Sequence, residues 1–161
     1  MSKSGYTIDV MCRDETHGAR VPAILEATTH FLDTLQAPSE AEISLLLTDD
    51  QEVQSLNREY RGVDRPTDVL SFSLQEGEGA GVFPEALGDI VVSMDRTLLQ
   101  AEEKKWPLEL ELEFLILHGL LHLLGFDHGE AEQAREMESM TQLAWRARHA
   151  DRVLTAGFLE Y

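Results

Sequence analysis

Between Phe114 and Phe126 the chain runs thirteen residues without one Asp, Glu, Lys or Arg, and the only polar side chains in the run are His118 and His122. So apolar a segment has to be buried, yet it is shorter than the roughly 20 residues a bilayer span requires. It therefore belongs to the core of a globular domain. The preceding Leu108-Glu109-Leu110-Glu111-Leu112-Glu113 alternates with period two, as a strand would. Leu and Glu are nevertheless good helix formers, and Leu110, Phe114, Leu117, Leu121 and Leu124 continue at spacings of four, three, four and three. The pattern predicts one helix from Leu108 to Leu124, with its leucines in the core and Pro107 at its start.

The rest of the chain supplies partners for that helix. Thr7 to Val10, Ile43 to Thr48, Asp68 to Ser73 and Asp89 to Ser93 are short runs suited to a pleated core. Val21 to Leu35 carries Val21, Ile24, Leu25, Thr28, Phe31, Leu32 and Leu35 at helical spacing, and Gln36-Ala37-Pro38-Ser39 ends it. Asp49 or Asp50 can cap a helix through Val53, Leu56, Asn57 and Tyr60 that Gly62 stops. Further helices are expected from Asp95 to Lys105 and from Glu130 to about Ala150, the last with Met137, Met140, Leu143, Ala144 and Ala147 on one face. Gln75 to Gly81 is rich in glycine and glutamate and reads as a loop insertion. There is no internal repeat. The fold class expected is α+β: a single domain, residues 1–161, with a small mixed four-stranded sheet covered by about five helices.

Thirty acidic against thirteen basic residues leave a formal charge of -17. That balance excludes a protein that coats nucleic acid broadly or adheres to an anionic membrane. The lone Cys12 has no partner for an internal disulfide, and the first residues, Met1-Ser2-Lys3-Ser4-Gly5-Tyr6, lack the apolar stretch of a signal peptide, so a reducing cytoplasm is the expected compartment.

His118-Gly119-Leu120-Leu121-His122-Leu123-Leu124-Gly125-Phe126-Asp127-His128 carries the chemistry. Histidines four apart on a helix sit about 40° apart around its axis and one turn along it, so both imidazoles can meet one ion. Gly125 can end the helix in a left-handed conformation and turn the chain back, so that His128 closes a third side. Three neutral imidazoles with one position open describe a catalytic rather than a sealed structural zinc site. The spacing is that of the metzincin proteases, H-E-x-x-H-x-x-G-x-x-H, in which the Glu is the general base. Here that position is Gly119, so peptide hydrolysis is the weaker choice.

The same eleven residues resemble, nearly position for position, the signature of the YbeY family of bacterial endoribonucleases. The resemblance continues upstream in Leu56-Asn57-Arg58-Glu59-Tyr60-Arg61-Gly62, in Pro66-Thr67-Asp68-Val69-Leu70-Ser71-Phe72 and in Leu87-Gly88-Asp89-Ile90, in the family's order. It implies one zinc ion per chain on His118, His122 and His128, and cleavage of single-stranded RNA during maturation of the 3′ end of the small-subunit ribosomal RNA. It also implies a part in ribosome quality control. The partners implied are ribosomal RNA and the ribosome, with a small-subunit ribosomal protein or an assembly GTPase as protein partner, and neither DNA nor membrane. The family's functional arginine falls on Arg61, whose planar fork of donors suits a scissile phosphodiester.

Around it, Arg58, Arg61 and Arg65 against Glu59 and Asp64 make residues 58–65 locally +1. Screening acts over about 8 Å at physiological salt, so a short strand can dock there despite the acidic remainder. Zinc at the site would polarise a phosphoryl oxygen or lower the pKa of a bound water toward about 7. The general base stays unassigned, and two other activities remain open: a metallopeptidase, and a non-enzymatic ribosome-assembly factor with structural zinc. Asp127 suits an orienting role, a proton shuttle or its own turn, and Thr67-Asp68 and Gly88-Asp89 suit strand starts.

Overall fold

The computed structural model describes residues 5–76, 81–152 and 154. The expected Gln75–Gly81 loop falls largely on residues 77–80, which lie outside the described residues. In chain order the elements are β1 (Thr7–Cys12), a 3-10 turn (Glu15–Arg20), α1 (Val21–Thr34), β2 (Glu42–Thr48), α2 (Asp50–Arg61), β3 (Val69–Ser73), β4 (Ala86–Ser93), α3 (Met94–Lys104), α4 (Leu108–Leu123) and α5 (Ala131–Arg148). The strands lie in the order β1-β2-β4-β3. β1 and β4 run parallel to β2, and β3 runs antiparallel to β4, with Ser71 opposite Ile90. The class is α+β with a mixed four-stranded sheet, as expected.

Alternation along the strands divides the apolar residues between the two faces. Ile43, Leu45, Leu47, Ile90 and Val92 point into the main core with α1, α4 and α5, where Phe31, Leu32, Met137 and Trp145 are buried. Val91 and Leu70 point the other way and meet Val53 of α2 in a much smaller cluster. α4 is the centre of the main core, with twelve of its sixteen residues buried. A helix apolar on nearly every side is stable only when neighbours surround it, and α1, α3 and α5 do so here. At one end Trp106, between α3 and α4, stacks on Trp145 with ring centres 5.7 Å apart.

Caps fix the helix starts. The Asp49 side chain accepts from the Glu52 amide, which resolves the choice between Asp49 and Asp50, and the Ser93 hydroxyl accepts from the Arg96 amide to start α3 one residue earlier than expected. Two features went unread. The 3-10 turn after β1 has no hydrophobic periodicity and is held locally by Asp14 accepting from the Thr16 amide at 3.0 Å. β4 begins at Ala86 rather than Asp89 because Ala86 and Gly88 complete the ladders to β2 and β3. No helix among the described residues is long and apolar enough to cross a membrane.

Candidate metal centre

His118 and His122 project from the C-terminal half of α4 beside the start of β3. After Leu123 the helix closes by reversal: Gly125 donates to the His122 carbonyl at 3.0 Å and Phe126 to that of Leu121 at 2.9 Å. Gly125 holds φ at +97°, a value side chains with a Cβ rarely adopt, and the turn carries His128 back over the other two. One ring nitrogen from each histidine falls within 4.8 Å of the others. The Nε2 atoms of His118 and His122 are 3.2 Å apart. That is close to the edge of about 3.3 Å between two nitrogens around a tetrahedral zinc with Zn–N near 2.0–2.1 Å. The three residues run from buried through half-buried to exposed, so the cluster has a floor in the core and a mouth in solvent.

Burial first, and then the neighbouring His122 and His128, push the pKa of His118 from an ordinary 6.5 down to about 3. Burial also lowers that of His122, with His128 and Arg61 acting in the same direction and Asp127 opposing them. His118 and His122 are therefore neutral near pH 7, the form that ligates a metal. Three imidazoles gathered in a pocket that opens to solvent form a donor set that fits a divalent ion.

Arg61 shares that cleft. A cavity of about 520 Å³ is lined by the three histidines, Asp127, Arg61, Thr67, Asp68 and residues of β3. Arg61 ends α2, its guanidinium carbon lies 5.5 Å from the centre of the Phe72 ring, and its Nη2 donates to the Ser71 carbonyl. The remaining N–H groups stay free of that bond. Arg58 turns aside to Asp64 at 3.5 Å, and both are exposed. Asp127 accepts from the His128 amide at 2.7 Å, which favours its turn role. A larger cavity, about 800 Å³, lies on the opposite face of the sheet between Met11, Leu46, Tyr60 and Phe72, and among the described residues no His or Arg lines it.

Gly119 explains why the metzincin glutamate is missing. A Cβ at this position would sit 2.9 Å from Cγ2 of Ile90. The residue after the first histidine therefore faces β4, away from the metal cluster, and α4 lies too close to the sheet to admit a larger side chain. Sequence reasoning passed over Asp68, which is 6% exposed and lines the cleft. Its position within a block that resembles the family was a signal, but a residue opening a strand has an ordinary structural reading as well.

A mixed α+β domain whose cleft joins an arginine to three imidazoles that could hold a metal ion has the layout of a metal-dependent hydrolase. The family model described as "Endoribonuclease YbeY" matches residues 10–147. A Syntrophotalea carbinolica protein named Endoribonuclease YbeY is 43% identical over 134 residues, covering 82% of this chain and 89% of its own. A Bacillus licheniformis protein of the same name is 48% identical over 135 residues, covering 77% of this chain and 84% of its own. The chain belongs to the YbeY family. A Thermotoga maritima protein solved in solution shares the fold at a TM-score of 0.57 and 22% identity, covering 94% of this chain and 99% of its own.

Proposed function

We propose that the protein is a zinc-dependent endoribonuclease that cuts single-stranded RNA in the cytoplasm, where it matures the 3′ end of the small-subunit ribosomal RNA and contributes to ribosome quality control. The observation that carries this reading is the convergence of His118, His122, His128 and Arg61 on one open cleft. Family membership and the relatives' name support the RNA substrate. The three histidines hold the metal, and zinc fits an all-imidazole donor set in which the Nε2 atoms of His118 and His122 stand 3.2 Å apart. Bound there, zinc supplies a compact double positive charge against the negative charge that grows on the phosphate.

The protein's own groups do the rest. Arg61 holds the scissile phosphate through its remaining donors, and its bond to Ser71 and its contact with Phe72 fix the fork in position before substrate arrives. The chain's charge of -17 opposes broad adhesion to RNA, so a protein on the ribosome, a small-subunit ribosomal protein or an assembly GTPase, brings the enzyme to its strand. A peptidase is disfavoured because the position of its general base is filled by the contact between Gly119 and Ile90.

The test is cleavage of a labelled single-stranded RNA matching the 3′ end of the small-subunit ribosomal RNA, with chelator and zinc add-back. The expected results are about one zinc per chain, cleavage lost with chelator and restored by zinc, and unfolded peptides left intact. Arg61→Ala should keep its zinc and lose cleavage. Peptide cleavage without RNA cleavage would reverse the assignment.

A further inference from the structure

The geometry points to Asp68 as the general base of the RNA cleavage proposed above, on which this inference rests. With Gly119 packed against Ile90, the base must come from elsewhere in the cleft. Among the described residues three carboxylates line it: Glu76, Asp127 and Asp68. Glu76 is exposed, and Asp127 is exposed and engaged with the His128 amide. Asp68 alone is buried. Its Oδ1 accepts from the Val69 amide at 2.7 Å and its Oδ2 accepts from Nε2 of Gln100 at 3.1 Å. Oδ1 also accepts from the Thr67 hydroxyl at 3.4 Å, so both oxygens are fixed and Oδ2 keeps a lone pair for a further partner. Asp68 does not join the cluster of ring nitrogens, so it stands beside the metal site as a separate group.

Gln100 suits a carboxyl that changes its protonation state. Its Oε1 is buried with no hydrogen-bond partner among the described residues. When Asp68 is ionised, Nε2 of Gln100 donates to it. When Asp68 carries a proton, a half-turn of the amide presents Oε1 to accept that proton's hydrogen bond. One amide can therefore satisfy both states without moving the backbone.

In the step itself, Asp68 takes the proton of the attacking hydroxyl, whether of water or of the ribose 2′ position, as that oxygen bonds to phosphorus. The bond from phosphorus to the departing ribose oxygen breaks, and that oxygen takes a proton from solvent. Asp68 then releases its own proton to solvent.

The experiment compares zinc-loaded wild type, Asp68→Asn and Asp68→Ala in single-turnover cleavage of the same RNA. Asn keeps the shape and the bond from Val69, and the Gln100 amide can turn to accept from it. Asp68→Asn should cut about 10²–10³-fold more slowly with zinc content and RNA affinity unchanged. Added formate should restore Asp68→Ala at least about tenfold while leaving wild type alone. Asp68→Asn that cuts within threefold of wild type overturns the assignment, as does a slow variant that has also lost zinc or RNA affinity. Folded Asp68→Ala that formate does not restore overturns it too. Should Asp68→Ala fail to fold, Asp68→Asn decides alone. Wild type that cuts no RNA overturns both this and the nuclease reading, whereas active wild type beside equally active Asp68→Asn overturns only the role of Asp68.

Discussion

Lowering the pH of metal-free protein from 7 to 5 should weaken it through His118 in particular. The residue is 5% exposed, and burial and the two neighbouring histidines hold its pKa at about 3, against 6.5 in the unfolded chain. Between those values the unfolded state binds a proton that the folded state refuses, so stability is whole above pH 6.5 and falls as the pH drops toward 3. The slope for one proton is about 1.4 kcal/mol per pH unit, so the 1.5 units from 6.5 to 5 remove about 2 kcal/mol. His122 is shifted in the same direction and adds to the loss. Urea unfolding followed by tryptophan fluorescence reads this out, because Trp145 is fully buried. Carboxylates titrate too, so the comparison is with His118→Gln, which should lose about 2 kcal/mol less than wild type over the same interval. Equal losses in the two proteins would refute the claim that burial keeps His118 neutral.

Gly119→Ala places its methyl 2.9 Å from the Ile90 side chain, an overpacking cost of about 1–3 kcal/mol against a helix-propensity gain of about 1. A net loss of up to about 2 kcal/mol by urea unfolding is expected, relieved when Ile90 is shortened to Ala in the same chain. Gly119→Glu should not fold, and no peptidase activity should appear. Lys104→Met strands the carboxylate of Glu111, which is fully buried and 2.9 Å from the Lys104 ammonium, at a cost of about 1–3 kcal/mol. Adding Glu111→Gln should recover most of the lost melting temperature. Arg61→Lys keeps the charge but loses the fork, and should slow RNA cleavage by about 10–100-fold without changing the zinc content.

What could be read in advance depended on whether a residue's role was local. The two histidines four apart, the turn at Gly125 and the return of His128 follow from helix geometry, and they come together as spaced. The Leu-Glu alternation at Leu108–Glu113 was settled by the apolar run behind it, and Glu111 is buried on α4 opposite Lys104. Roles that depend on distant partners stayed hidden. Nothing in Thr67-Asp68 shows that Gln100, thirty-two residues on, will hold the carboxylate at the edge of the metal cleft. Of three clustered arginines, charge alone could not separate Arg61, which turns into the cleft, from Arg58, which turns out to Asp64.

The distance between α4 and the sheet ties these observations together. The helix lies so close to β4 that only a hydrogen fits between the Gly119 backbone and Ile90. That closeness also brings the Ser71 hydroxyl on β3 to 3.4 Å from the Gly119 carbonyl, so the strand that follows Asp68 is held directly against the helix that bears His118 and His122. A helix held farther out could seat a glutamate after its first histidine, but β3 and the carboxyl at its start would then recede from the histidines. In this chain the packing that removes a base from the helix is the packing that sets Asp68 beside the metal cleft.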